Sequence, residues 1–200
     1  MRVKRAQKPS NPAAMVFTGN GGTEYRVLLP LAAKLNGREK VLWFPEAPLR
    51  SKSTGLSALR ALQIFATSYQ LSRFLFLIDR EHAQDLNRVR QHLQKELGRI
   101  TLRYTLVPDT AGVFEGATGA ERFELCVVLL GKVKAVEEEL AQLVQGICPH
   151  KKVPCDKGIH KFLRAQGLRL SDVIQGASLD ALRAAFPGLY KALKWVEAYW

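Results

Sequence analysis

The chain has 200 residues, with 30 Lys and Arg against 18 Asp and Glu, so it is long enough to bury a core and carries a formal net charge of +12. It has no apolar run near the ~20 residues of a membrane helix, and its three cysteines (Cys126, Cys148, Cys155) make no disulfide framework. A helical membrane protein and a disulfide-stapled secreted domain are thereby excluded, and the charge favours a polyanionic partner, nucleic acid first and an anionic membrane surface second, with a basic proteome as the bland alternative.

Residues 1–13 are polar and carry Arg2, Lys4, Arg5 and Lys8 with no acid, which predicts a flexible basic arm able to lie along phosphates. No apolar stretch comes after it in signal-peptide style, and an odd cysteine count fits a reducing compartment, so a cytoplasmic protein is expected. M-V-F-T-G at 15–19 reads as a first strand and leads into a glycine turn. Thr23 is placed to cap a helix running to about Leu35, kinked at Pro30. K-V-L-W-F at 40–44 is the second strand, ending at Pro45-Glu46. A loop with Arg50 and Lys52 then leads into a helix over about 55–69.

F-L-F-L-I-D at 74–79 is too apolar to have a wet face and reads as the central parallel strand. A helix over 83–97 comes next, then an alternating strand over 101–107 that stops at Pro108-Asp109. The Gly-, Ala- and Thr-rich residues 110–120 read as a mobile loop. A strand over 122–130 precedes a helix over 133–144, which carries Glu137, Glu138 and Glu139 as a solvated face. The order β-α-β-α-β-α-β-β-α predicts an α/β domain over 14–147, its mainly parallel sheet covered by helices on both faces. Residues 148–200 read as a small all-helical region on or beside the sheet. Its terminal Trp195, Tyr199 and Trp200 suit core packing, contact between copies of the chain, or base stacking.

Parallel strands all point one way, so the residues at their carboxyl ends share one rim. Glu24, Glu46, Asp79, Glu81 and Asp109 should therefore collect there. Asp79 and Glu81 are two apart, and in extended backbone they face the same way. Converging carboxylates repel unless a cation sits among them, and Mg²⁺ is the natural one. The opposing reading makes Asp79 a helix cap and Glu81 a first-turn acid that favours the dipole. His82 is a candidate proton shuttle.

The glycine turn ending in Glu, G-N-G-G-T-E at 19–24, together with the apolar strand ending D-R-E at 79–81, resembles the topoisomerase–primase (Toprim) domain, nearest its stand-alone and nuclease-type members. The likeness covers about residues 14–110. It implies a Toprim-like central parallel sheet and Mg²⁺-dependent phosphodiester chemistry on DNA or RNA. Glu24, Asp79 and Glu81 would then be the catalytic metal ligands. Two departures stand out: the leading glutamate of the family's first motif falls at Thr18, and the second aspartate of D-x-D is Glu81.

Arg50, Lys52, Arg60, Arg80, Lys151 and Lys152 are the expected nucleic-acid contacts. A non-catalytic nucleic-acid-binding module with a degenerate site is the alternative, and an assembly subunit docking through the aromatic C-terminal helix is a third. Cys148, His150, Cys155 and His160 could close a zinc site, though C-x-H-x₄-C-x₄-H is not a common pattern. There is no G-x-x-x-x-G-K-[ST] loop.

Overall fold

The computed structural model describes residues 1–5, 7–19, 22–45, 54–119 and 121–200; Glu46, Arg50 and Lys52 lie outside them. Among the described residues seven strands form one mixed sheet: β1 (Arg2–Arg5), β2 (Ala14–Thr18), β3 (Val41–Phe44), β4 (Arg73–Asp79), β5 (Ile100–Val107), β6 (Ala111–Thr118) and β7 (Glu121–Leu130). Their spatial order is β1-β3-β2-β4-β7-β6-β5. The five strands from β1 to β7 in that order are mutually parallel, whereas β6 runs antiparallel to both β7 and β5.

β4 is the keystone, and its burial explains the layers around it. Phe74 to Ile78 are each 0% exposed, because β2 and β7 flank the strand and helices cover both faces. Alternation divides the strand between two cores. Phe74, Phe76 and Ile78 join Met15, Phe17, Leu125 and Val127 beneath a 3-10 helix (Gly55–Ala61), α2 (Leu62–Tyr69) and α4 (Leu86–Leu97). Leu75 and Leu77 join Val16, Cys126 and Val128 beneath α1 (Thr23–Lys34) and α5 (Val136–Ile147).

After α5 come α6 (Ile159–Ala165), α7 (Leu170–Gly176), α8 (Leu179–Ala185) and α9 (Pro187–Tyr199). They bury Leu163, Ile174, Leu182, Phe186 and Val196 in the same core as α1 and the sheet. No described helix is long and apolar enough to cross a membrane.

Three expectations change. The N-terminal arm contributes β1, paired in parallel register with β3 from Arg2↔Val41 to Arg5↔Phe44. In R-V-K-R the apolar Val3 alternates with charges, so one side packs on the α1 core and the other meets water; charge on an edge strand also discourages pairing with other chains. Residues 111–118, read as loop, form β6 between β5 and β7. Their small side chains fit there because the neighbours fill the space: a Cβ on Gly116 would collide with the Ile100 and Phe123 side chains. The helix expected over 83–97 starts only at α4, after a separate short helix α3 (Arg80–Ala83), since the Asp85 carboxylate accepts the Arg88 amide at 2.7 Å and starts α4 afresh.

The turn from β7 into α5 depends on Gly131, whose φ is +84° and whose added Cβ would lie 2.5 Å from the Ala135 backbone nitrogen. Gly131→Ala is expected to lower stability by about 1–3 kcal/mol. Gly146→Ala, inside α5 with nothing within 4 Å of the new methyl, is expected to raise it by about 0.5–1 kcal/mol. Urea midpoints of the two variants check both signs.

Candidate functional site

Strand order reverses between β2 and β4, with β3 on one side of β2 and β4 on the other. The crevice beyond their carboxyl ends is the usual ligand position in such a sheet. Gly19 closes it tightly: its amide donates to Leu77 O at 2.8 Å, and a Cβ would sit 2.9 Å from Ile78 Cγ1. Glu24, on the first turn of α1, is 2% exposed, and Asp79, at the end of β4, is 6% exposed. Both therefore follow the carboxyl end of one of two parallel strands, Glu24 after β2 and Asp79 at the end of β4. Asp109, just past β5, lies at the same rim, where its backbone oxygen accepts from Arg80 at 3.0 Å.

Asp79 at this rim is committed to structure. Asp79 Oδ1 accepts the Val136 amide at 3.1 Å, so it caps the start of α5 across the sheet. Glu81 is helical rather than extended: the chain turns helical at Arg80, so the strand alternation expected to align it with Asp79 stops before it. Glu81 is exposed, with Oε1 3.6 Å from His82 Nε2. Thr23 leaves the capping position to Gly22, and its hydroxyl donates to Glu137 Oε1 at 3.1 Å. His160 Nε2 lies 3.7 Å from the same carboxylate.

The acidic run on α5 is not a solvated face. Glu137 and Glu139 are buried, and Glu138 Oε2 accepts the amides of Lys132 and Val133 at 2.8 Å and of Lys134 at 3.3 Å. Its missed signal was the glycine and lysine turn ahead of it, whose bare amides needed an acceptor. Burial pushes the Glu139 carboxyl up to about 8, against the pull of the Gly131 amide and the nearby Arg80 guanidinium; the Asp79 and Glu138 charges push it further.

The expected phosphate contacts are scattered. Arg80 ties the rim together, donating to Gly131 O at 3.1 Å, to Gln84 O at 2.6 Å, and to Asp109 O and Thr110 Oγ1 at 3.0 and 3.1 Å. Its guanidinium thus braces the rim through carbonyls and one hydroxyl. Arg60 pairs with Glu96 at 3.1 Å, and the hydrogen bond holds that carboxyl below its usual range. Lys151 bonds Gln166, and Lys152 is exposed. His160 belongs to the Thr23–Glu137 cluster, not to a zinc site with Cys148, His150 and Cys155. Among the described residues no group of three or more His, Cys, Asp or Glu is placed to hold a metal ion.

A different feature opens at the opposite, amino rim. Arg73 begins β4, Arg122 begins β7, and Arg99 and Arg103 precede and lie on β5. They line a groove of about 600 Å³ floored by Gly116 and Ala117, with Glu115 and Glu124 among them. Glu115 pairs with Arg103, and Glu124 Oε2 lies 3.7 Å from Arg73 Nε while accepting Trp200 Nε1 at 2.9 Å. Arg99 and Arg122 are exposed and form no ion pair among the described residues.

The groove runs on through Arg103 and Glu124 into a second of about 550 Å³, lined by Tyr104, Trp195, Tyr199 and Trp200. These arginines were legible one by one, as S-R-F, G-R-I and E-R-F at three strand starts. Only the pairing order brings them together.

Comparison with protein-family models, with curated proteins and with solved structures finds no match to this chain, so none identifies a Toprim domain.

The rim gives two expected outcomes. Asp79→Ala leaves the Val136 amide without its acceptor and should cost about 1–3 kcal/mol of stability with or without Mg²⁺, read by urea denaturation. Glu139, raised from an ordinary value of 4.5 to about 8, binds a proton more readily folded than unfolded. Its contribution is therefore full below about pH 4.5 and is lost as pH rises towards about 8. Glu139→Gln should leave the melting temperature near that of the parent at about pH 5 and above it at about pH 8.5.

Proposed function

We propose that this chain is a non-catalytic nucleic-acid-binding module that engages phosphates through the amino-rim groove. The observation that carries this function is the convergence of Arg73, Arg99, Arg103 and Arg122 in one groove against two glutamates, with Arg99 and Arg122 exposed and outside any ion pair among the described residues. Guanidinium groups match phosphate oxygens in a two-pronged geometry. The net charge of +12 supports attraction of a polyanion from a distance.

The Mg²⁺-dependent phosphodiester chemistry that the Toprim resemblance implied finds a donor set that does not fit. Asp79 Oδ1 faces the Val136 amide, Glu81 faces His82, and position 18 offers a threonine hydroxyl in place of a carboxylate. Mg²⁺ requires near-ideal octahedral oxygen geometry with open water positions. No step is therefore assigned to Glu24, Asp79 or Glu81 as catalytic groups.

Binding should weaken steeply with salt, because each neutralised phosphate releases counterions. Changing Arg99 and Arg122 to Ala should flatten the plot of log affinity against log salt by about 0.7 per arginine on a single strand or about 0.9 on a duplex. Arg60→Ala, which removes a guanidinium that does not line the groove, should leave it unchanged. Fluorescence anisotropy over a salt series reads this. Equal slopes in all the variants, or no binding to DNA or RNA at low salt, would sink the assignment.

A further inference from the structure

We infer that the occupant of this groove is a single strand, its phosphates on the arginines and its unpaired bases on the rings of Tyr104, Trp195 and Tyr199. The inference rests on the nucleic-acid reading above and adds which form of nucleic acid is taken. Tyr104 is 44% exposed and Tyr199 70%, both large apolar rings left open to water beside a row of arginines.

The rings form one cluster. The Tyr104 and Trp195 centroids are 6.1 Å apart, and those of Trp195 and Tyr199 are 5.6 Å apart. Trp200 meets Trp195 edge-on at 4.9 Å and is itself held by Glu124, so the platform has a fixed back wall. Arg103 lies over the Tyr104 ring, 5.4 Å from its centroid, which joins the charged groove to the aromatic one at a single residue.

This combination selects among polyanions. In a duplex the base faces are buried against one another and only edges and phosphates are offered, so exposed rings gain nothing from it. A single strand presents π-faces, and stacking on aromatic side chains tolerates any sequence. The four strands β4, β7, β6 and β5 spread the site over roughly 14 Å, three spacings of about 4.8 Å, which lets a strand run from charge to ring. A second copy of the chain is the rival occupant of an aromatic surface, but two molecules of charge +12 repel, and the groove's own excess of arginine opposes the contact.

The test compares four ligands of equal length by anisotropy at low salt: single-stranded oligonucleotides of DNA and of RNA, a duplex, and an abasic sugar–phosphate strand. Tyr104→Ala and Tyr199→Ala are the main variants, since both side chains are exposed and their folding can be checked by circular dichroism; Trp195→Ala is secondary. The expected result is tighter binding of a single strand than of the duplex. Each tyrosine variant should lose roughly 5- to 150-fold on base-bearing strands, the span of one lost stack, and nothing on the abasic strand.

A duplex bound as well as a single strand, or variants that lose affinity equally on the abasic strand, would overturn the single-strand inference and leave nucleic-acid binding standing. Failure of every nucleic acid to bind would remove both. Sedimentation showing a dimer that Tyr199→Ala dissociates, with oligonucleotides unable to compete, would assign the surface to self-association instead.

Discussion

The burial of β4 on both faces is the constraint on which the rest of this structure depends. A strand with no wet side needs a partner strand on each edge and a layer of helices above and below. β2 and β7 supply the edges, and the two cores divided by the alternation of Phe74 through Ile78 supply the layers. Where the strand ends, the polar groups of Asp79 and Arg80 emerge into a region still enclosed by protein. Buried polar groups must be satisfied, and here the nearest partners are the Val136 amide and the carbonyls of Gly131, Gln84 and Asp109.

That requirement changes the role of the carboxyl rim. Asp79 is held by an amide, Glu137 by a hydroxyl and an imidazole, and Arg80 by carbonyls, so this rim works as the junction fastening α1, α5 and α6 to the sheet. Glu139 marks the cost of building a junction from carboxylates, since burial favours its protonated form. The amino rim meets no such demand. Its strand ends open to solvent, Gly116 and Ala117 leave room above β6, and arginines at the starts of three strands can keep their charge in water. The sheet thus carries buried acids at one end and exposed bases at the other.

How much was readable in advance varies with the reach of the interactions. The strands over 15–19, 40–44 and 74–79 and the helices near 23–35, 83–97 and 133–144 are visible from periodicity to within a few residues at their ends, because each is decided by its own apolar face. β1 was hidden because its pairing partner β3 lies some 40 residues on, and four residues with three charges show almost no pattern. β6 was hidden because Gly, Ala and Thr signal a loop unless large neighbours fill the space, and Ile100 and Phe123 do so from other strands. Glu137 and Glu139 read as solvated for the same reason: the groups that bury them are not adjacent in sequence.

From composition and pattern alone came the α/β class, the parallel central strand, the basic character and the placing of Glu24 and Asp79 after the carboxyl ends of parallel strands, since these depend on local periodicity and strand direction. Tertiary structure decided which charges remain available. The order β4-β7-β6-β5 draws Arg73, Arg122, Arg99 and Arg103 into one groove, and the packing of α5 takes Asp79 for its own amide. Whether a charged side chain can meet a ligand depends on what it already touches, and that is a property of neighbours in space rather than in sequence.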